Sequence, residues 1–288
     1  MKKRTITLIA GPTASGKSDY ALKLAQKTGS CIVNADSMQV YSLLRIITAR
    51  PDDEEMAGIS HYLYGYVSPA EYYSIGKWLD DVALLLRESD APLIFVGGTG
   101  LYFKALTEGL AEIPDVPQII KDKWRLKLKE EGASALHKEL EQIDPLFATR
   151  LSSRDGQRTI RALEVYEATG KLLSYWQSQK TKPLLDGSTV EKLLLLPERA
   201  LVYRHIEERF DKMVANGALD EVRNLAKLDL SPSMPAMKAI GVPEFLRVLQ
   251  GKESIETAIV EAKAGTRRYA KRQMTWFRHQ LGNDWRKL

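Results

Sequence analysis

The chain has 288 residues, of which 44% are hydrophobic and 27% are charged, and its formal net charge is +5. This composition is ordinary for a globular protein, and the single cysteine, Cys31, excludes an internal disulfide and a cysteine-based zinc site. No apolar run approaches the roughly 20 residues that a membrane helix needs, so we predict a cytoplasmic protein without a membrane partner.

The first half of the chain alternates between predicted strands and predicted helices. TITLIA and CIVNA predict strands, with a helix between them over residues 16–27. SIGKWLDDVALLLRES predicts an amphipathic helix with Trp78 and Val82 on one face, and APLIFVGGTGLY predicts a strand, a Gly-Gly turn and a new helix. This alternation predicts an α/β fold, a P-loop NTPase-like parallel sheet with helices on both faces and ligands at the carboxyl ends of the strands.

The middle of the chain changes character after the proline-containing segment IPDVP. Only helical segments follow, with Gly170 as a helix stop, until TKPLLDGS predicts a loop and VEKLLLL predicts a strand that rejoins the sheet. The tail is predicted to be helical, with breaks at Asn216-Gly217, SPSMP and Gly241-Val242-Pro243. We therefore predict a small all-α insertion domain at 120–185 and a catalytic core with basic C-terminal helices at 1–119 and 186–288.

The strongest local motif is GPTASGKS, residues 11–18, which follows the first predicted strand and opens the first predicted helix. In the pattern G-x-x-x-x-G-K-[ST], backbone N–H groups converge on an anion at the positive end of a helix. Lys17 adds a point charge, and Ser18 is the expected Mg²⁺ ligand. The sequence therefore predicts a phosphate-binding loop.

Two polar positions follow predicted strands at the same edge of the sheet. Asp36 and Ser37 come after the second strand, where Asp36 is either a helix N-cap or a catalytic base. Thr99 ends the next such strand, within VGGTG, and is either an N-cap or a hydroxyl donor to an oxyanion. The residues alone leave both alternatives open.

The last predicted helix presents charges of one sign. Residues 262–283 contain no Asp or Glu, and they contain the basic residues Lys263, Arg267, Arg268, Lys271, Arg272 and Arg278. Because a solvated helix face usually mixes signs, this surface favours a polyanionic partner. We expect Trp276 and Phe277 to pack inward.

Other basic residues are less informative by spacing alone. Arg158 and Arg161 lie one turn apart in the predicted insertion, which is typical of a solvated charged face. By its spacing alone, Arg209 is also an ordinary arginine of a predicted helix.

Six stretches, taken together and in this order, resemble the tRNA dimethylallyltransferases, also called tRNA isopentenyltransferases. They are GPTASGKS (11–18), NADSMQVY (34–41), VGGTGLY (96–102), DGQRTIRALEVYEATGK (155–171), RFDKMVANGALDEV (209–222) and TRRYAKRQMTWFR (266–278). The resemblance implies transfer of the dimethylallyl group from dimethylallyl diphosphate to N6 of an adenosine. That adenosine is position 37, 3′-adjacent to the anticodon, in tRNAs reading codons that begin with U, and diphosphate is released.

The resemblance also implies roles for individual residues. Asp36 would accept a proton from the adenine amine, Thr99 would hydrogen-bond the bridging oxygen of the leaving diphosphate, and Arg209 would neutralise its charge with Lys17. The implied diphosphate site is Gly11, Thr13, Ala14, Ser15, Gly16, Lys17 and Ser18, with Mg²⁺ at Ser18. The implied contacts to the tRNA anticodon stem-loop are Asp36, Ser37, Met38, Gln39, Thr99, Gln157, Arg158, Thr159, Ile160, Arg161, Arg267 and Lys271. We expect the adenine to be flipped out and the protein to be a monomer.

Two segments depart from the family pattern. Ile47-Thr48-Ala49-Arg50-Pro51 stands where the family commonly has Gly-Thr-Ala-Lys-Pro, and we expect Ile47 to alter the backbone there. Gly241-Val242-Pro243-Glu244 stands where the family has Gly-Tyr-Lys-Glu, which removes a potential basic contact. No zinc-finger extension follows Leu288, which predicts the bacterial type of the family.

Three other functions were weighed against this one. A P-loop small-molecule kinase would leave the insertion and the acid-free tail unused. An adenylate isopentenyltransferase, which prenylates a free nucleotide, needs no long basic helix. An RNA-binding module with a vestigial phosphate loop would not need Lys17, Ser18, Asp36 and Thr99 to be intact.

Overall fold

The computed structural model describes residues 4–179, 181–185 and 189–288 of the chain. The elements of the first part are β1 (Thr5–Ala10), α1 (Lys17–Thr28), β2 (Cys31–Asn34), α2 (Asp53–Met56), β3 (His61–Tyr62), α3 (Ile75–Glu88), β4 (Leu93–Gly97) and α4 (Gly100–Glu108). The helices that follow are α5 (Gln118–Glu131), α6 (Ala133–Ile143), α7 (Pro145–Ala148), α8 (Gly156–Thr169) and α9 (Leu173–Ser178). The last part contains β5 (Thr189–Leu194), α10 (Arg199–Ala215), α11 (Ala218–Ala226), a 3-10 turn (Ala236–Lys238), α12 (Val242–Leu249), α13 (Ile255–Gln280) and β6 (Arg286–Lys287).

The chain forms two compact units. Residues up to Thr107 and residues from Leu184 onwards form the first, and Glu108–Pro183 forms the second. Every strand that the structure describes lies in the first unit. The second unit begins earlier in the chain than the predicted insertion at 120–185.

The sheet of the first unit has the order β3-β2-β4-β1-β5-β6, and each pair of neighbouring strands is parallel. β1 lies between β4 and β5, with Ile6 opposite Leu93 on one side and Val190 on the other. The predicted parallel α/β sheet is therefore confirmed. β3 and β6 were missed, because two residues are too few to show the alternation that identifies a strand.

Apolar side chains cover both faces of this sheet. Side chains of a strand alternate between its faces, so Ile6 and Leu8 of β1 lie in one core cluster and Ile9 lies in another. The first cluster includes Trp78 of α3 and Phe277 of α13. The second includes residues of α1, which confirms the predicted helices on both faces.

The structure corrects the predicted element boundaries at two places. No helix begins directly after β2, so Asp36 and Ser37 are not helix caps. The next helix along the chain is α2, and its N-cap is Asp52. Val242 and Pro243 do not break a helix but lie in the first turn of α12, where proline is tolerated because that N–H has no partner within the helix.

The other predicted boundaries of the tail hold. α10 ends at Ala215, and Gly217 after it has a φ of +94°, which an L-residue rarely adopts. Gly170 follows α8 as its C-cap, also with a positive φ, of +67°. The predicted strand after TKPLLDGS is β5, while residues 186–188 of that loop lie outside the described residues. Among the described residues, no helix is long and apolar enough to cross a membrane.

The second unit has its own apolar core. Trp124 of α5, Leu136 and Leu140 of α6, and Leu163 of α8 are buried together. Glu164 is buried beside them, and burial raises the pKa of its carboxyl group while Arg161 opposes that shift. The helical segments predicted here are all present as helices.

Candidate active site

Three loops meet at the carboxyl ends of β1, β4 and β2. The N–H of Gly11, after β1, donates to the carbonyl of Gly97 at 3.4 Å, and the N–H of Thr99, after β4, donates to the carbonyl of Ala35 at 3.3 Å. The N–H of Ser37 donates to Oγ1 of Thr99 at 3.1 Å. The polar positions predicted at this edge are therefore brought into direct contact.

The loop from Gly11 to Gly16 has the geometry of an anion site. Ala14 and Gly16 adopt φ values of +61° and +82°, and no side chain caps the first turn of α1. Successive left-handed and turn conformations point backbone N–H groups into one concavity, which is how such loops hold phosphates. The Ser15 hydroxyl is buried and has no hydrogen-bond partner among the described residues.

Two cations and one carboxylate share the space in front of this loop. Nζ of Lys17 donates to the carbonyl of Pro12 at 3.2 Å, and Arg209 of α10 donates to Oγ1 of Thr13 at 2.5 Å. Burial lowers the pKa of Lys17 to about 8. The Asp36 carboxylate raises this pKa, and the Arg209 guanidinium lowers it further. Burial likewise lowers the pKa of Arg209 to about 10, against the effect of Asp36. The site has an excess of positive charge and suits an anionic ligand.

A turn fixes Asp36, and a buried asparagine supports the turn. Oδ1 of Asp36 accepts from the N–H of Met38 at 2.9 Å. The amide of Asn34, which is fully buried, accepts from the N–H of Asp36 at 2.8 Å and donates to its carbonyl at 2.9 Å. The carboxylate is thereby held at the edge of the sheet by a local network rather than by a helix.

Thr99 and Tyr269 connect the β4 loop to α13. The hydroxyl of Thr99 donates to Oγ of Ser37 at 3.5 Å, and Tyr269 of α13 interacts with the side chains of Thr99 and Gln273. Burial, with a smaller contribution from Asp36, raises the pKa of the Tyr269 hydroxyl, which therefore stays protonated. Tyr269 was not identified from the sequence, because it lies within a basic segment that was interpreted by its charge.

Asp36, Arg209 and Tyr269 line one cavity of about 280 Å³. Its polar lining includes Thr13, Asp36, Ser37, Thr48, Thr266 and Tyr269, its cations are Arg209, Lys238 and Arg272, and its other lining residues are Met38, Ile47, Ile206, Phe210, Met213, Ala239 and Ile240. Four lining residues come from α10 at helical spacing, namely Ile206, Arg209, Phe210 and Met213. That spacing is the signal that could have linked Arg209 to apolar neighbours on the same face.

Gln273 was also missed, and it joins two of the loops. Its Oε1 accepts from the N–H of Thr13 at 2.9 Å, and its Nε2 donates to the carbonyl of Gly98 at 2.9 Å. Gln273 is buried in the same helix as Ala270, Met274 and Phe277. An amide in an otherwise apolar stripe at helical spacing was the available signal, because a buried amide needs partners.

The basic surface of α13 is less uniform than its sequence indicates. Lys263 forms ion pairs with Asp211 at 2.6 Å and Glu207 at 3.4 Å, and Arg267 also pairs with Glu207. These acids belong to α10, so the sequence of α13 alone could not reveal them. Arg268, Lys271, Arg272 and Arg278 are exposed, and Phe277 is buried and Trp276 partly buried, as predicted.

The residues predicted to contact tRNA from the insertion all lie on α8, in the second unit. Gln157 and Arg158 are exposed at its first turn, where Asp155 caps the helix by accepting from the N–H of Arg158. Thr159 and Ile160 are buried, and Arg161 lies 3.8 Å from Glu164. Their role in binding tRNA stays a prediction.

Ser18 is exposed at the first turn of α1, and its role as a Mg²⁺ ligand stays a prediction. The described residues contain no group of three or more His, Cys, Asp or Glu side chains that could hold a metal ion. A divalent cation at this loop would therefore take most of its ligands from phosphate oxygens and water, which is usual for Mg²⁺.

The segment in which this chain departs from the family pattern has an ordinary backbone at Ile47. The positive φ nearby belongs to Ala49, at +52°, and Ile47 is not among the described residues with positive φ. The side chain of Ile47 is buried and lines the cavity. Its effect is therefore on the shape of the site and not on the backbone.

Comparison with known proteins places these features in one family. The family model for IPP transferase matches residues 39–280, and that for isopentenyl transferase matches residues 4–66. The tRNA dimethylallyltransferase of Bartonella henselae is 57% identical over 286 residues, covering 99% of each chain. That of Chelativorans sp. is 55% identical over 283 residues, covering 97% of each.

Solved structures agree with this relationship. The tRNA isopentenylpyrophosphate transferase of Bacillus halodurans is 31% identical, with a TM-score of 0.69 over 99% of this chain and 90% of that chain. A eukaryotic dimethylallyltransferase, described in crystallographic snapshots as acting on tRNA, is 29% identical, with a TM-score of 0.79 over 99% of this chain and 73% of that chain.

Proposed function

Because this chain belongs to the tRNA dimethylallyltransferase family, we propose that it transfers a dimethylallyl group from dimethylallyl diphosphate to N6 of adenosine 37 in tRNA. The tRNAs concerned read codons that begin with U, and diphosphate is the other product. The chain is a prenyltransferase, and membership of this family favours that reaction over the kinase and free-nucleotide alternatives. One observation supports the proposal most directly: Asp36 and Arg209 line one partly apolar cavity, and both interact electrostatically with Lys17 of the phosphate loop.

The leaving group is assigned to the phosphate loop. Residues Gly11, Thr13, Ala14, Ser15, Gly16, Lys17 and Ser18 would surround the diphosphate, which would accept from the Lys17 ammonium and from N–H groups at the start of α1, because the N–H groups of Gly11 and Thr13 already donate to Gly97 and Gln273. As the C1–O bond of the donor breaks, the electron pair stays on the diphosphate, and Lys17 and Arg209 neutralise the charge that develops. Ser18 would hold Mg²⁺, which supplies further neutralisation of the phosphate oxygens when bound.

The acceptor amine is assigned to the Asp36 side of the cavity. As N6 of the adenine bonds to C1 of the dimethylallyl group, its proton passes to the Asp36 carboxylate, which acts as general base. Thr99, held by Ser37 and Tyr269, donates to the bridging oxygen of the departing diphosphate. Ser37, Met38 and Gln39 would contact the flipped adenosine.

The anticodon stem-loop is the proposed RNA partner. We assign phosphate and loop contacts to the exposed residues Gln157, Arg158 and Lys271, and to Arg161 and Arg267, whose ion pairs would have to open or share their charge. Thr159 and Ile160 would contribute through the packing of α8, because both are buried. We further propose that the protein acts as a monomer in the cytoplasm, with 120–185 serving as the tRNA-contacting domain.

The test is incubation of the purified chain with dimethylallyl diphosphate, Mg²⁺ and unmodified tRNA, followed by mass analysis of the nucleosides. We expect N6-dimethylallyladenosine from tRNA and no product from free AMP. Asp36→Asn should lower kcat by about 10²–10⁴-fold, the usual contribution of a general base, while diphosphate binding is retained. Asp229→Asn, at an exposed turn with φ +46° that asparagine tolerates, is the matched control. Native protein that leaves tRNA unmodified, or that turns over ATP rapidly without tRNA, would refute the proposal.

A further inference from the structure

Part of the cavity lining is apolar, and Ile47 belongs to that apolar part. Ile47, Phe210, Met213 and Ala239 line the cavity and also belong to a single core cluster. A Cβ placed on Gly241 would lie 2.5 Å from Cδ1 of Ile47 and 3.8 Å from Cε2 of Phe210. The side chain of Ile47 therefore packs closely against Gly241, with Phe210 nearby.

The loop that carries Ile47 is fixed from α11. One carboxylate, that of Glu221, accepts the N–H groups of Arg45, Ile46 and Ile47 at 2.9, 2.7 and 2.9 Å. Three hydrogen bonds from successive residues to a charged acceptor hold the backbone firmly, because bonds to ionised groups are stronger than neutral ones. The backbone at Ile47 is thereby anchored to α11.

A second contact holds the next residues of the same loop. Nε2 of Gln39 donates to the carbonyls of Thr48 and Ala49, at 2.9 and 2.8 Å. The loop is thus anchored on both sides of the residue that lines the cavity. Gln39 itself lies next to Met38, which lines the same cavity.

Two consecutive residues of α10 link the phosphate loop to the surroundings of Ile47. Arg209, which contacts Thr13 of the loop, and Phe210, which packs beside Ile47, are consecutive residues of α10. The cavity volume of about 280 Å³ also lies just below the range of about 300–1,000 Å³ that is typical of ligand pockets. It must accept both a prenyl group and part of an adenine, so it has no room for a long prenyl chain.

We infer that Ile47 sets the length of the prenyl group that this enzyme accepts, admitting a five-carbon chain and excluding a ten-carbon one. This inference rests on the proposed function. It concerns a position at which this chain departs from the family pattern, which commonly has glycine there. Ile47 adds four side-chain carbons to the apolar part of the lining, and Glu221 is the residue that positions it.

The test compares dimethylallyl and geranyl diphosphate as donors to unmodified tRNA, with kcat/KM measured for each by nucleoside mass analysis. Ile47→Ala removes three side-chain carbons from the apolar part of the cavity lining. A single methylene in an apolar pocket changes selectivity by about 10-fold or more, so the geranyl-to-dimethylallyl ratio should rise at least about 10-fold. Ile47→Val, which removes one carbon and folds more readily, should raise the ratio by a smaller factor.

The control is Ile32→Ala, which shortens an isoleucine buried in a different core cluster, away from the cavity. It should lower stability without changing the donor ratio. If both Ile47 variants transfer dimethylallyl but keep the native ratio, or if Ile32→Ala changes the ratio equally, the inference is wrong and the proposed function stands. If the native chain transfers neither group to tRNA, the proposed function fails instead.

Discussion

Replacing Gln273 with leucine should loosen the phosphate loop and destabilise the first unit. The side chain is buried and bridges the N–H of Thr13 to the carbonyl of Gly98. Leucine has a similar size but leaves the buried carbonyl of Gly98 and the partly buried N–H of Thr13 without a partner, at a cost of up to about 1–3 kcal/mol each. The added apolar burial recovers about 1–2 kcal/mol, so the free energy of unfolding should fall by about 1–4 kcal/mol.

Urea unfolding measures this loss of stability, and calorimetric titration with diphosphate measures its consequence at the site. Because Thr13 is released on one side of the loop, we expect diphosphate affinity to fall together with stability. Gln280→Leu is the matched control, since Gln280 is an exposed glutamine of the same helix. If Gln273→Leu equals that control in unfolding free energy and in diphosphate affinity, the bridging role assigned to Gln273 is refuted.

Two further predictions follow from the same edge of the sheet. Since burial lowers the pKa of Lys17 to about 8, the loop loses positive charge as the pH rises through 8, and diphosphate affinity should then fall by up to about tenfold per pH unit. Titration between pH 7 and 9.5 should show a flatter profile for Lys17→Arg, which keeps its charge, and identical profiles would contradict this. Gly97→Ala should cost about 3 kcal/mol or more and abolish turnover, because its Cβ would lie 2.0 Å from the carbonyl oxygen of Ala35. Gly76→Ala, whose Cβ would meet only Oγ of Ser74 at 3.6 Å, should match native thermal unfolding, and equal behaviour of the two variants would count against the close approach.

The elements of this fold that have a periodic or glycine-rich pattern could be predicted from the sequence. β1, α1, α3 and β4 follow from alternation, helical spacing and the phosphate-loop pattern, which are local properties. The functions of Gln273 and Glu221 could not be found in this way, because their partners lie more than 170 residues away in the chain. Their contacts exist only after the sheet and the C-terminal helices have packed.

The charge of α13 also depends on contacts that its own sequence does not reveal. The basic stretch of α13 predicts a polyanion-binding surface, but the acids that pair with Lys263 and Arg267 are carried by α10. An acid-free segment therefore says little about net surface charge until its neighbours are known. The residues of this stretch that remain exposed are the better candidates for RNA contact, since they give up no ion pair on binding.

Neighbouring residues of α10 contact different parts of this site. Successive residues of a helix point about 100° apart, so Glu207 faces α13 while Arg209 and Phe210 face the cavity. Arg209 contacts the phosphate loop, and Phe210 packs against the backbone that Ile47 also contacts. In the proposed reaction, neutralisation of the leaving diphosphate and restriction of the prenyl group thus depend on adjacent residues with different neighbours. We therefore expect a change at Ile47 to alter which donor is accepted while the charge arrangement around Asp36 stays in place.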